Sequence, residues 1–149
     1  MGIIKAFKLG FDYLKYDEDG NVEATQRAVN DVNLDIEAGD FVAVLGHNGS
    51  GKSTLIKILL KEVEPTSGRV VVNDMDLRKM PRRYVPKYRR RLGVVFQDFR
   101  LLKDKTVYEN VAFAQRVIGV STRRIKESVP AMLQMVGLSA KYKMFPQQL

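Results

Sequence analysis

The chain has 149 residues, enough for one domain, and with 45% hydrophobic and 28% charged residues it has the composition of a soluble globular protein. It contains no run of about 18 apolar residues that could span a membrane, and its N-terminus lacks the apolar core of a secretory signal, so we expect a cytoplasmic protein. No cysteine is present and His47 is the only histidine, which excludes disulfides, thiolate metal sites and histidine-based zinc sites.

The first half of the chain predicts strands around one helix. The polar, glycine-containing segment YDEDGNVEATQRA, residues 16 to 28, predicts an exposed hairpin loop between two early strands. The apolar run FVAVL, residues 41 to 45, ends in a glycine-rich turn and predicts a buried parallel strand. The following STLIKILLKEV has the apolar spacing of a buried helix. Further strands are predicted by GRVVVN, residues 68 to 73, and by LGVVFQD, residues 92 to 98.

The second half predicts two helices. Thr106 and Glu109 form a capping-box pattern, and Ser121 is placed to cap a second helix that Pro130 should kink or divide. The stripe expected to be buried on the first helix is Val107, Val111, Ala114 and Ile118. The stripe on the second helix is Ile125, Val129, Met132, Leu133 and Val136. The order of elements indicates an α/β fold with a helical extension.

The segment GHNGSGKS, which begins at Gly46 and ends at Ser53, matches the phosphate-loop pattern G-x-x-x-x-G-K-[ST] at every fixed position. Glycines allow backbone N–H groups to converge on an anion, and the following helix N-terminus adds partial positive charge. The residues expected to hold a nucleotide are Gly46, Asn48, Gly49, Ser50, Gly51, Lys52, Ser53 and Thr54. Lys52 is expected to reach the β- and γ-phosphates, Ser53 to bind Mg²⁺, and His47 to shape the loop. The alternative is a glycine-rich turn that only joins a strand to a helix.

The net charge of +8 is concentrated in one cluster that begins at Arg78 and ends at Arg91, with eight basic residues and no acidic one. Such a cluster can bind nucleic acid. However, its only aromatic residues are Tyr84 and Tyr88, and no nucleic-acid motif is present. A solvated or lipid-facing surface is therefore favoured.

Three segments, VNDVNLDIEAGDFVAVLGHNGSGKSTL, PTSGRVVVN and LGVVFQD, resemble the ATP-binding subunits of ABC transporters. Residues 1 to about 54 are similar to the ATPases of energy-coupling-factor importers, and those from about 55 onward to cell-division ATP-binding proteins of the FtsE type. Both a chimera and a single lineage with mixed features stay open. The resemblance implies a P-loop NTPase core with an antiparallel β subdomain and the start of a helical subdomain. Residues 1 to 149 would be the N-terminal portion of a nucleotide-binding domain.

The resemblance also implies roles for individual residues. Tyr13 would stack on the adenine of ATP, with Phe11 and Tyr16 as alternatives. Gln97 would contact Mg²⁺ and the attacking water, so that Lys52 and Gln97 are the candidate catalytic residues and Ser53 and Gln97 the candidate metal ligands. The segment FRLLKDKTVYENV would meet an integral-membrane permease-like subunit, FtsX-like or of an importer. The protein would then lie at the inner face of the cell membrane.

The last residues, FPQQL, stand where the resembling family begins its signature sequence. The signature, the Walker B aspartate, the catalytic glutamate and the switch histidine are not among the 149 residues, and Asp98 lacks the context of a substitute base. We therefore expect Mg-ATP binding with little or no turnover, and no complete ATP-bound dimer. We also expect FVAVL to be exposed at a sheet edge, with marginal stability or self-association. A non-hydrolytic or engineered ATP-binding fragment is the alternative function.

Overall fold

The computed structural model describes residues 3–149, which form two compact units. One unit extends to Arg89 and the other comprises Arg90–Leu149. Within the part of the chain that the structure describes, no helix combines the length and apolar character needed to cross a membrane.

The first unit is built on a four-stranded antiparallel sheet with the order β2-β1-β3-β4. Its strands are β1 Ile4–Tyr16, β2 Val22–Ile36, β3 Ser67–Val72 and β4 Met75–Asp76. The turn between β1 and β2 is closed by Asn21, whose backbone N–H donates to Asp17 Oδ1 at 2.7 Å. The predicted hairpin is confirmed, although its loop is shorter than expected because the strand resumes at Val22.

The first unit also contains two helices, α1 Lys52–Leu59 and α2 Val85–Arg89. The predicted α1 helix and β3 strand are both confirmed. The buried apolar side chains of this unit are Ala6, Leu9, Phe11, Val29, Leu55, Ile58, Leu60, Val70, Val72, Leu77 and Tyr88.

Two side chains of α2 attach it to the C-terminal end of α1. The Tyr88 hydroxyl donates to the Leu59 carbonyl at 2.5 Å, and burial raises the pKa of Tyr88 to about 12. Arg89 donates from Nε to the Leu60 carbonyl and from a terminal guanidinium nitrogen to the Lys61 carbonyl, each at 2.9 Å. These bonds satisfy carbonyls that a helix end leaves without partners, and they place a cation at the negative end of the α1 dipole.

Two strand predictions are wrong. Residues 41 to 45 and 92 to 98 contain no strand. A strand is stabilised by backbone pairing with a neighbour, and no described strand pairs with either segment. The apolar side chains of the first segment are exposed instead, Phe41 to 98% and Leu45 to 89%. Exposure of this segment was expected, but it occurs without strand structure.

The second unit contains the two predicted helices, α3 Val107–Val117 and α4 Thr122–Met135. The capping box of α3 is confirmed. Thr106 Oγ1 accepts the backbone N–H of Glu109 at 3.2 Å, and the Glu109 carboxylate accepts the backbone N–H of Thr106 at 2.8 Å. This second bond lowers the pKa of Glu109. Ser121 is the N-cap residue of α4 but makes no side-chain cap bond, and α4 runs through Pro130 undivided.

The core of the second unit follows the predicted stripes only in part. Its buried side chains are Val107, Ala112, Ile125, Val129 and Leu133. The other stripe residues expected to be buried on α3 are Val111, which is half-buried, and Ala114 and Ile118, which are exposed. On α4 the stripe residue Met132 is exposed, and so is Val136, which directly follows the helix.

One position on the buried face of α3 is occupied by a polar residue. Gln115 is buried and accepts a hydrogen bond from the Ser128 hydroxyl at 2.7 Å. This interhelical bond satisfies the amide oxygen, so the buried face does not have to be wholly apolar.

The exposed apolar segment 41 to 45 should cause the chain to self-associate. Phe41→Asp should reduce the association, because a charge on an apolar surface opposes burial against another chain. Phe99→Asp is the matched control, since Phe99 is also an exposed phenylalanine but belongs to the second unit. Sedimentation velocity over a range of concentrations measures the effect. A wild-type chain that stays monomeric, or an equal effect of both substitutions, would contradict the prediction.

Candidate functional site

The glycine-rich loop of residues 46 to 53 joins the exposed segment to α1, and its backbone depends on glycine at two positions. Gly49 and Gly51 have φ values of 84° and 89°, which are left-handed conformations. A Cβ atom at Gly51 would lie 2.0 Å from the carbonyl oxygen of Ala28 in β2, whereas one at Gly49 would meet no atom within 4 Å. Gly51 therefore serves two purposes, a left-handed turn into α1 and close contact with β2.

Lys52 folds its side chain back over the loop. Its ammonium donates to the carbonyls of Gly46 and His47 at 2.8 Å each, and it lies 3.4 Å from Ser50 Oγ. His47 Nδ1 donates to the Asn48 carbonyl at 2.8 Å, in keeping with a residue that shapes the loop. The loop thus holds a positive charge that hydrogen-bonds to neutral carbonyls, and an anion would be a stronger partner for it.

Among residues 3–149, no side chain caps the N-terminus of α1. Gly51 is its N-cap residue, no side chain caps it, and its first turn carries no acidic residue. The first N–H groups of a helix have no partner within the helix and carry partial positive charge. The same chain supplies both a cap and an acidic residue to α3. The bare end of α1 therefore has the character of an anion site.

The structure brings Tyr13 to the start of α1. Its hydroxyl lies 3.2 Å from Thr54 Oγ1, and its ring meets Phe11 edge-on with centroids 4.8 Å apart. Tyr13 is 39% exposed, so part of its ring is accessible, whereas Phe11 belongs to the core. Tyr16 is exposed at the end of β1. Of the three aromatic residues considered for adenine, Tyr13 is the one with a hydrogen bond to α1.

Thr54 is 6% exposed, so its side chain is buried and its hydroxyl bonds to Tyr13. The sequence offered no sign of this bond, because it joins residues 41 positions apart. Ser53, by contrast, is exposed in the first turn of α1. The two neighbouring hydroxyls therefore differ, and Ser53 has the one accessible to a ligand.

A second polar contact that the sequence interpretation missed lies beside Tyr13. Arg27 pairs with both carboxylate oxygens of Asp12, at 2.6 and 3.0 Å, and the Thr66 hydroxyl donates to Asp12 at 3.2 Å. The Arg27 hydrogen bond lowers the pKa of Asp12 and raises that of Arg27. Because Asp12 and Arg27 face each other in the hairpin register, pairing the two strands across their turn could have revealed this contact.

A cavity of about 550 Å³ opens beside the glycine-rich loop, between β2 and the exposed segment. Its lining is mostly apolar, with Val29, Val32 and Leu34 from β2, and it includes Lys52 of the loop. An apolar wall does not suit phosphate oxygens, so the polar rim formed by the loop and α1 is the candidate phosphate site.

The loop and the bare helix end fit a phosphate group, and Ser53 fits a magnesium ion bound together with it. Among residues 3–149 no cluster of three His, Cys, Asp or Glu side chains could hold a metal ion. Magnesium is commonly held by few protein ligands together with substrate phosphates. The ion would neutralise charge on the phosphate oxygens, and the exposed Ser53 hydroxyl would supply a protein ligand.

Gln97 and Asp98 lie in the second unit. Gln97 is exposed in a segment without strand structure, and its predicted contact with Mg²⁺ and water stays a prediction. Asp98 forms an ion pair with Arg100, with 3.7 Å between its Oδ1 and the arginine Nε. Its carboxylate therefore already has a cationic partner.

Comparison with known proteins supports the same interpretation. Residues 29–149 match the family described as ABC transporter, and the chain belongs to that family. It is 50% identical over 122 residues to the cell division ATP-binding protein FtsE of Mycobacterium tuberculosis, covering 82% of this chain and 53% of that protein. It is 41% identical over 124 residues to the methionine import ATP-binding protein MetN of Photobacterium profundum, covering 83% of this chain and 36% of that protein.

Two solved structures share the fold. The ATP-binding cassette MJ0796, whose dimer was solved bound to ADP and Pi, matches with a TM-score of 0.84 and 29% identity over 98% of this chain and 62% of that one. The cbiO1 protein of Clostridium perfringens, part of the ABC transporter complex cbiONQ, matches with a TM-score of 0.77 and 28% identity over 99% of this chain and 55% of that one. The predicted α/β fold of an ABC ATPase, with its antiparallel sheet and helices, is confirmed. The chain spans about half the length of the FtsE relatives it matches.

The two left-handed glycines allow a matched test of the loop. Gly49→Ala should lower the free energy of unfolding by only about 1–2 kcal/mol, the cost of a left-handed alanine. Gly51→Ala should cost more than ~4 kcal/mol, because its Cβ also collides with the Ala28 carbonyl. Urea denaturation measures both values. Equal losses would show that the contact with β2 does not constrain the loop.

Proposed function

We propose that residues 1 to 149 are the N-terminal portion of an ABC-type nucleotide-binding domain and bind Mg-ATP at the loop of residues 46 to 53. The observation that carries the proposal is the Lys52 ammonium, held by two loop carbonyls next to the uncapped N-terminus of α1. The ammonium and the first backbone N–H groups of α1 both donate hydrogen bonds that phosphate oxygens can accept. The family membership supports ATP as the source of that phosphate.

In the proposed complex, different residues bind the phosphates, the magnesium ion and the adenine. The backbone from Gly46 to Gly51 surrounds the phosphates, Lys52 moves from the carbonyls to the β- and γ-phosphates, and Ser53 ligates the magnesium ion. Tyr13 places its exposed ring against the adenine while its hydroxyl keeps Thr54 in position. Gln97 is proposed to contact the metal and the attacking water.

Two variants on one helix test this binding. Lys52→Ala should weaken Mg-ATP binding by about 10- to 100-fold, the value of one hydrogen bond to a charged group. Lys57→Ala is the control, because Lys57 is an exposed lysine in the last turn of the same helix. Isothermal titration calorimetry measures both, and chelation of magnesium should weaken the wild-type interaction. Equal affinities for the Lys52 and Lys57 variants would rule out the proposed loop.

The finer proposal is an FtsE-like role in cell division, in a complex with an FtsX-like integral-membrane subunit at the inner face of the cell membrane. It rests on the 50% identity to FtsE, against 41% to MetN. A role in energising import is the alternative, and the structural similarity to cbiO1 supports it.

Complementation separates the two roles. If residues 1 to 149 carry the determinants of partner choice, replacing the corresponding part of FtsE with them should restore division in cells depleted of FtsE. The same replacement carrying Lys52→Ala, which leaves the partner surface unchanged, is the control and should fail. Restoration of import in a MetN-deficient strain, without restoration of division, would favour the importer role.

A further inference from the structure

The first part of the basic cluster, residues 78 to 87, is largely exposed and lies outside the glycine-rich loop. We call residues 78 to 87 the cationic segment. Its charged side chains, all exposed, are Arg78, Lys79, Arg82, Arg83 and Lys87. Within residues 3–149 none of these five forms an ion pair with a carboxylate. The nearby Asp76 carboxylate accepts the backbone N–H of Arg78 and closes a turn there.

The cationic segment is attached to the rest of the first unit by the two residues that follow it, Tyr88 and Arg89. Tyr88 is buried and, with Arg89, bonds to the carbonyls at the end of α1. These bonds hold the segment in place before any partner binds, which reduces the ordering cost of an interaction. They also place it near the C-terminal end of α1, an eight-residue helix about 12 Å long, whereas the glycine-rich loop is at the other end.

The chemistry of the segment favours a lipid surface over single-stranded nucleic acid. Single-stranded nucleic acid is bound through aromatic rings on which bases stack. The exposed aromatic of the segment is Tyr84, 47% exposed, and the Arg83 guanidinium lies 5.4 Å from its ring centroid. Tyr88 is buried and offers no ring. A tyrosine among five cations is, however, well suited to the headgroup layer of an anionic membrane.

We propose that the cationic segment binds the phosphate-bearing headgroups of anionic phospholipids and holds this unit against a negatively charged membrane surface. The inference rests on the proposed function, because a protein that works beside a membrane subunit is close enough to the lipid surface to use such a contact. Lipid binding near one end of α1 leaves the loop at the other end open to nucleotide. The two interactions can therefore be measured separately on the same chain.

Vesicle co-sedimentation of the full chain tests the proposal. At about 0.15 M salt, where charges act over ~8 Å, the chain should sediment with vesicles that contain phosphatidylglycerol and not with pure phosphatidylcholine. Binding should weaken as salt is raised. The triple variant Arg82→Gln, Arg83→Gln, Lys87→Gln should bind on the order of 100-fold more weakly, since each cation near an anionic surface contributes about fivefold.

A second triple variant controls for net charge. Lys103→Gln, Arg124→Gln, Lys126→Gln removes three exposed cations that form no ion pair in residues 3–149, and it should reduce vesicle binding by no more than about threefold. Far-UV circular dichroism and Mg-ATP affinity establish that both variants fold. The salt titration of the wild-type chain tests the electrostatic contact without any substitution.

Three results would overturn the inference. Equal loss of binding in both triple variants would mean that net charge, not this segment, attracts the vesicles. Tighter binding of the wild-type chain to duplex DNA than to anionic vesicles, lost in the Arg82, Arg83 and Lys87 variant, would identify nucleic acid as the partner. No binding to anionic vesicles, with Mg-ATP binding intact, would refute the lipid contact and leave the proposed function standing.

Discussion

The contact between Gly51 and the carbonyl of Ala28 is the constraint on which the candidate phosphate site depends. The chain approaches β2 so closely at this point that a Cβ would lie 2.0 Å from the carbonyl oxygen. The left-handed turn at Gly51 then starts α1 in a fixed direction. As a consequence, Lys52 lies back over the loop and Thr54 meets the hydroxyl of Tyr13. One glycine thus connects the hairpin, the loop and the helix.

The N-termini of α3 and α1 differ in whether side chains bind their first N–H groups. Thr106 and Glu109 satisfy the first N–H groups of α3, and the carboxylate also faces the positive end of the helix dipole. α1 has neither a side-chain cap nor an acidic residue in its first turn. A helix end left in this state favours an external anion, and the lysine beside it adds a positive charge. The N-terminus of α4 also lacks a side-chain cap bond and an acidic first-turn residue, so the bare end of α1 differs from it in having the glycine-rich loop and Lys52 beside it.

Local signals in the sequence predicted much of this structure, while partners distant in sequence could not be predicted. The capping box, the hairpin turn and the spacing of α1 depend on residues within a few positions of each other, and all three are confirmed. Residues 41 to 45 have the composition of a strand, but a strand forms only when another strand pairs with its backbone. The Tyr13–Thr54 and Asp12–Arg27 contacts depend on how strands and helix come together. The loop residues could be recognised as a candidate phosphate site because their spacing is itself a motif. The position of the Gln97 side chain depends on tertiary structure, so the sequence alone could not predict it.

We expect Lys52 to exchange the carbonyls of its own loop for nucleotide phosphate when ATP binds. A crystal structure of the chain with Mg²⁺ and a non-hydrolysable ATP analogue tests this directly. In that structure the Lys52 ammonium should leave the carbonyls of Gly46 and His47 and contact the β- and γ-phosphates, which should lie against the N-terminus of α1. An analogue bound elsewhere, with both carbonyl contacts of Lys52 still at 2.8 Å, would contradict it.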